Sequence, residues 1–334
     1  MRTLPLSLSL ATAAALLAAP ATAQQKPVLT VMTYDSFAAD WGPGPAIKTA
    51  FEAECSCELK IIVGGDGAGM LSRLRLEGAR SEVDVVLGLD TALTEAARST
   101  GLFAPHGITP EKLDLPHDWT DAEFLPYDWG VFAFVYDKTK LPSPPQSFAE
   151  LAASDLKVAI QDPRSSTPGL GLLLWVKAVF GDEAGAYWAD LADNILTVTK
   201  GWSEAYNLFL EGEADLVLSY TTSPAYHLLA EGDDSKSSLA FAEGNYLQIE
   251  VAGMLASSDQ PELARDFLGF MLTEPFQGAL PETNWMYPAV TPAAGLPQGF
   301  ETMTQPAKLL LLPPAEAESL RAPALEEWRN ALSQ

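Results

Sequence analysis

The chain has 334 residues, with 20 Lys+Arg against 44 Asp+Glu and a formal net charge of −24. A field of that sign repels phosphate backbones and anionic lipid, which argues against nucleic-acid or membrane-surface partners. It is also what the solvated surface of an exported protein carries, so by itself it names no ligand.

The chain opens MRTLPLSLSLATAAALLAAPATAQQ. A charged start at Arg2, an apolar run from Leu4 to Ala19 and the small-residue site Ala21-Thr22-Ala23 form a secretory signal peptide, residues 1–23, cleaved after Ala23. No later run reaches the roughly 20 apolar residues a membrane span needs. The mature chain is expected to be exported and soluble, and long enough for one large α/β protein or two lobes with ample core.

Strands and helices then alternate. VLTVMTY (28–34) is a β-rich run, PAIKTAFEAE a helix, CELKIIVGG a second strand and AGMLSRLRLEGA a second helix. VDVVLGL (83–89) is continuously apolar, as a strand covered on both faces must be. A βαβαβ start of this kind binds ligands beyond the C-terminal ends of its strands. At one such end lies YDSFAADWGPGP (34–45), three aromatic rings in a segment whose Gly-Pro-Gly-Pro run breaks regular structure.

A second unit follows, with strands at GVFAFVYD (130–137), KVAIQD (157–162), ILTVTK and DLVLSY, then YLQIEVAGML. Helices are expected at GLGLLLWVKAVFG, AGAYWADLAD, SEAYNLFLEGEA and PELARDFLGFMLT. No repeat or disordered linker divides the chain, so the two units should share several crossings. The expected lobes are residues 24–130 plus 251–290, and 131–250 plus 291–334.

Five further element ends are similar in kind: GDGAG (65–69), DPRSSTPGLG (162–171), KGWSEAY (200–206), SYTTSPAY (219–226) and ETNWMYP (282–288). Ser166-Thr167-Pro168 and Thr222-Ser223-Pro224 look like helix entries, whose free N–H groups suit an anion. Trp41, Trp202, Tyr220, Tyr226 and Trp285 offer flat faces, each worth about 0.5–2 kcal/mol to a cation. Asp66 adds a negative charge. The set suits a flat, cationic heteroaromatic molecule, with or without a phosphate. Each piece has a plainer reading as well: hydroxyls and Asp66 as helix caps, tryptophans as packing between lobes.

Other chemistries are less well served. Cys55 and Cys57 are the only cysteines, and His106, His117 and His227 have no ligand spacing, so no metal site is legible. In a strand, residues two apart share a face, so Cys55 and Cys57 could meet in a disulfide, near the upper limit of its Cα spacing; an oxidising compartment favours it. GWSEA (201–205) nearly matches a Gly-x-Ser-x-Gly elbow, but a serine hydrolase on Ser203 would have to use Asp215 and His227, which follow too closely. No phosphate loop or dinucleotide fingerprint appears, and no enzyme is expected. Tyr34, Tyr220 and Tyr226 keep a ferric-ion site open, and a polyamine is a third option.

Over essentially the whole mature chain, the sequence resembles the thiamine-binding periplasmic proteins of bacterial ABC importers. The resemblance is carried by LTVMTYDSFAADWGPGP, VDVVLGLD, QDPRSSTPGLGLLLW, VTKGWSEAYNLFL, DLVLSYTTSPAYH and NWMYP, and the Cys-x-Cys pair is similar to the family's. It implies a two-lobe, hinged α/β periplasmic-binding-protein fold (type II), each lobe a sheet covered by helices, with thiamine in the cleft. Position by position, it implies ligand contacts at Asp66, Gly67, Ser166, Thr167, Trp202, Tyr220, Thr221, Thr222 and Ser223, with Tyr34, Trp41, Tyr226 and Trp285 as pocket walls. It further implies thiamine monophosphate and diphosphate as ligands, an inner-membrane ABC permease and its ATPase as partners, the periplasm as location, and no cofactor. A monomer is expected of a diffusing cargo carrier. The chain departs from the family around IIVGGDGAGML, and its last 40 residues are less distinctive.

Overall fold

In the computed structural model, which describes residues 26–333, twelve strands form the frame. The expected signal peptide lies outside the described residues. The strands are β1 (Val28–Thr33), β2 (Glu58–Val63), β3 (Val85–Asp90), β4 (Phe103–Ala104), β5 (Leu125–Asp137) and β6 (Val158–Gln161). They continue as β7 (Ile195–Thr199), β8 (Leu216–Tyr220), β9 (Lys236–Ser238), β10 (Asn245–Leu255), β11 (Tyr287–Pro288) and β12 (Leu309–Leu310).

The main path runs β2-β1-β3-β10-β5-β8-β6-β7. Its two outer groups are parallel: β1 with β2 and β3, and β6 with β7 and β8. The long strands β10 and β5 run antiparallel between them. β5 pairs with β10 up to Val131 and with β8 from Phe132 on, so one strand belongs to both lobes. Every residue of β3 and of β10 is buried, so both faces of each are covered; in β3 this explains the apolar run, whereas β10 also buries Asn245, Gln248 and Glu250.

Helices Gly44–Cys55, Gly67–Glu77 and Pro261–Phe270 belong to the first lobe, where Phe51 meets Phe267 edge-on at 5.1 Å. In the second lobe, helix Thr167–Phe180 is apolar nearly all round and is buried from Thr167 to Lys177. That follows from its place between the sheet and the C-terminal helix Pro314–Leu332. The buried Lys177 ammonium donates to Glu327 of that helix at 2.8 Å.

Three local expectations need correction. Tyr34 precedes and Phe37 lies within a helical turn, Asp35–Ala38, inside the segment read as irregular, and Phe37 is a core residue. Gly42 closes that segment where a Cβ would lie 2.1 Å from the Ser36 carbonyl, so no other residue fits. β5 begins at Leu125 instead of residue 130, because Pro126 and Asp128 disguise a buried strand start. Cys55 and Cys57 form a disulfide, but not on a strand face. Cys55 ends a helix, and the left-handed Ser56 (φ 53°) folds the chain so that the two Cα atoms lie 5.1 Å apart.

Candidate functional site

The C-terminal ends of β1, β2, β3, β6, β7 and β8 converge on one cleft between the lobes, as the parallel order requires. A cavity of about 760 Å³ fills it. Its walls are Tyr34 and Trp41 from the first lobe, Trp202, Tyr206, Tyr220 and Tyr226 from the second, and Trp285 and Met286 from the segment before β11. Trp202 stacks on Tyr206 with centroids 4.9 Å apart and its Nε1 donates to Ser219 Oγ at 2.8 Å, which fixes the indole plane. Tyr226 and Trp285 meet edge-on at 5.5 Å. Trp285 adopts φ 57°, a strained conformation for a bulky residue and one that clusters at ligand sites. A second depression of about 910 Å³, lined by Lys26, Arg80 and Asp84, opens at the opposite strand ends and contains no aromatic ring.

Asp66 occupies the N-cap position of helix Gly67–Glu77 without making a capping bond. Its carboxyl instead points across the cleft toward the Ser166 hydroxyl and the first amides of helices Thr167–Phe180 and Trp202–Leu210. Those groups favour its ionised form, yet none reaches Oδ2 with hydrogen-bond geometry, and burial raises its pKa to about 6. One residue on, the Gly67 N–H donates to Thr167 Oγ1 at 3.1 Å, joining the lobes directly.

The floor is polar. Tyr34 and Tyr127 donate to Glu250 Oε2 at 2.8 and 2.6 Å, and Asn284 Nδ2 donates to Asp128 Oδ2 at 2.7 Å. Burial and the nearby carboxyls hold the phenols of Tyr34, Tyr127 and Tyr220 well above their ordinary range. The Tyr34 phenol is engaged with Glu250, and Tyr226 stands apart against Trp285.

Of the residues expected at the ligand, Asp66, Thr167, Trp202, Tyr220 and Ser223 line the cavity, as do Tyr34, Trp41, Tyr226 and Trp285. Gly67, Ser166, Thr221 and Thr222 do not. Gly67 is spent on the lobe contact, and Ser166 is fully buried behind Asp66. After β8 the chain turns tightly, Ser223 N–H to Tyr220 carbonyl, and the two threonines between them are buried in the wall. Tyr206, Asn207, Glu250, Asn284 and Met286 were not anticipated. Tyr206, Asn284 and Met286 lie in the element ends KGWSEAY and ETNWMYP, and Glu250 was signalled as a lone acid among the apolar residues of IEVAG.

Ser203 faces the cavity, but no relay reaches it. Both ring nitrogens of His227 are engaged, by Tyr206 at 3.0 Å and Glu231 at 2.7 Å, and Asp215 accepts from the Lys157 amide. His227, Glu231 and Asp233 are close enough together to hold a cation, a grouping the spacing did not reveal. Their partners already include Tyr206, Ser235 and Lys236.

Two lobes joined by crossing strands around a ring-lined, anionic cleft define a solute-binding protein. The family described as bacterial extracellular solute-binding protein matches residues 38–278, and the chain belongs to it. It is 57% identical over 311 residues to the thiamine-binding periplasmic protein of Escherichia coli, covering 92% of this chain and 94% of that one. A solved periplasmic thiamin binding protein superposes with a TM-score of 0.90 at 56% identity, covering 92% of this chain and 97% of the other. Iron-bound HitA from Pseudomonas aeruginosa shares the fold alone, with a TM-score of 0.70 at 23% identity over 91% of this chain and 99% of its own.

Proposed function

We propose that this protein captures thiamine in the periplasm, closes its two lobes on it, and delivers it to an inner-membrane ABC permease with its ATPase. The observation that carries the reading is the cleft itself: rings from both lobes surround a floor and a wall that are acidic. Thiamine has a flat aminopyrimidine, a permanently cationic thiazolium and a hydroxyethyl arm. Aromatic faces serve the first two, and Asp66 and Glu250 supply counter-charge. Ligand contacts are assigned to Asp66, Thr167, Trp202, Tyr220 and Ser223, with Tyr34, Trp41, Tyr226 and Trp285 as walls. Gly67, Ser166, Thr221 and Thr222 act from behind, by shaping the wall and the lobe contact.

Thiamine monophosphate and diphosphate belong to the same proposal, with their phosphate directed to the helix starts near Ser166 and Trp202. Closure pivots on β5 and β10. The lobes divide as residues 24–130 plus 251–290 and 131–250 plus 291–334, supported by the partner change in β5 and the packing of helix Pro314–Leu332 on the second lobe. Ligand touching both lobes favours the closed form because only there are all its contacts made. The carrier acts as a monomer.

Calorimetric titration of unfolded and refolded protein with thiamine, iron(III) and spermidine tests the reading. One-site thiamine binding tighter than about 1 μM, near −8 kcal/mol or better, with no iron or spermidine heat supports it. Silence with thiamine overturns it.

A further inference from the structure

Three acids stand in one row of the sheet. In the ladders of β10, Glu250 lies opposite Asp90 of β3 and opposite Asp128 of β5. Their exposures are 2% for Asp90, 5% for Glu250 and 0% for Asp128. Like charges directly opposite on neighbouring strands repel, and no cation stands among the groups acting on them. The row is met instead by hydrogen-bond donors. Tyr34 and Tyr127 serve Glu250 Oε2, Gln248 Nε2 serves Oε1 at 2.9 Å, and Asn284 serves Asp128. Asp66 and Tyr220 also face the row, and neither brings positive charge.

Asp90 Oδ1 and Asp128 Oδ1 are buried without a partner. Buried carboxyls this close relieve their repulsion by sharing a proton. Glu250 accepts from three donors, whereas Asp128 accepts from Asn284 alone and keeps Oδ1 unpartnered, so the negative charge belongs on Glu250 and the proton on Asp128. Of the three acids, only Glu250 lines the cavity. The pair therefore shows a ligand one negative edge and keeps its proton behind it.

We propose that the Asp128–Glu250 pair is the counter-charge that selects a cationic ligand, and that it releases its shared proton to solvent when the cation seats against Glu250. This rests on the thiamine reading and deepens it. The empty pair holds one proton and one negative charge. A fixed cation beside Glu250 stabilises the doubly ionised pair; the Asp128 O–H bond breaks, the proton passes to water or buffer, and no other bond changes. An uncharged ring in the same cleft leaves the proton in place.

The test counts protons. The mature protein is titrated with thiamine at about pH 8 in phosphate and in Tris, whose heats of protonation differ widely. By that pH, Asp66 and Asp90, with values of about 6 and about 7, have shed most of their protons, which leaves the pair as the source. About 0.3–1 proton is expected to be released per thiamine bound. Asp128→Asn, whose amide can donate to Glu250 and accept from Asn284, should bring the count near zero. Glu250→Gln should weaken thiamine at least about tenfold and its uncharged hydroxymethyl-aminopyrimidine half by no more than about twofold. Equal heats in both buffers for the native protein, or an undiminished count from Asp128→Asn, overturn the proposal, and the native arm stands whatever the variants' stability. Absence of any thiamine heat is a different failure, because it overturns the thiamine reading and takes this inference with it.

Discussion

The Gly67 amide donates to Thr167 Oγ1 at 3.1 Å, across the cleft and 100 residues along the chain. The bond links the start of a first-lobe helix to the start of a second-lobe helix, so it exists only when the lobes are together. It also occupies a hydroxyl that the sequence offered to an anion. Thr167→Val should therefore weaken thiamine and thiamine monophosphate alike, about fivefold, the value of one hydrogen bond near 1 kcal/mol. Paired titrations check this; a loss confined to the phosphate ester would mean the hydroxyl serves the ligand.

Gly67 itself has little room. A Cβ there would stand 2.9 Å from Thr167 Oγ1 and 3.1 Å from the Gly88 carbonyl. Gly67→Ala is expected to hold the lobes apart, lowering thiamine affinity at least about tenfold, the result of shifting closure by some 1.4 kcal/mol. Small-angle scattering with saturating thiamine should show a larger radius of gyration than the native complex. Identical profiles and affinities would remove the lobe contact from the closing mechanism.

Trp202 is held by Tyr206 on one face and Ser219 at its nitrogen. Trp202→Ala should cost at least about tenfold in thiamine affinity, the scale of one lost stacking contact. Trp202→Phe keeps a face and should cost less. An alanine variant that binds as tightly as the native protein rules out a ligand role for this ring.

The pKa of Asp66 is raised to about 6 by burial, so the folded, empty protein favours its protonated form. As pH rises through about 6 the carboxylate forms, which lowers the stability of the empty protein and raises its attraction for a cation. Thiamine affinity should climb at least about threefold between about pH 5 and 7.5. Asp66→Asn should flatten that rise and remove the matching fall in melting temperature of the empty protein. Affinity that is flat in the native protein would contradict a charge role for Asp66.

The Cys55–Cys57 bridge closes a three-residue loop, and neither cysteine lines the cavity. Its replacement by two serines should cost about 1.5 kcal/mol of stability and leave thiamine affinity unchanged. Denaturation and calorimetry on the same variant separate the two effects.

The sequence by itself determined the alternation of strands and helices, and it placed aromatic and hydroxyl residues at the strand ends where such sheets bind ligands. Tyr34, Trp41, Trp202 and Tyr220 were legible because each lies at the end of a β-rich run or in the segment that follows it. What it could not determine was which way those ends face once the lobes meet. Asp66 reads as a helix cap from its neighbours, yet its carboxyl crosses the cleft; Thr221 and Thr222 read as ligand hydroxyls, yet a tight turn buries them. Most hidden was the acidic row. Asp90, Asp128 and Glu250 are far apart along the chain, and only the register of three neighbouring strands sets their carboxyls side by side. Strand period tells which residues share a face, whereas register between distant strands is settled by the packing of the whole sheet.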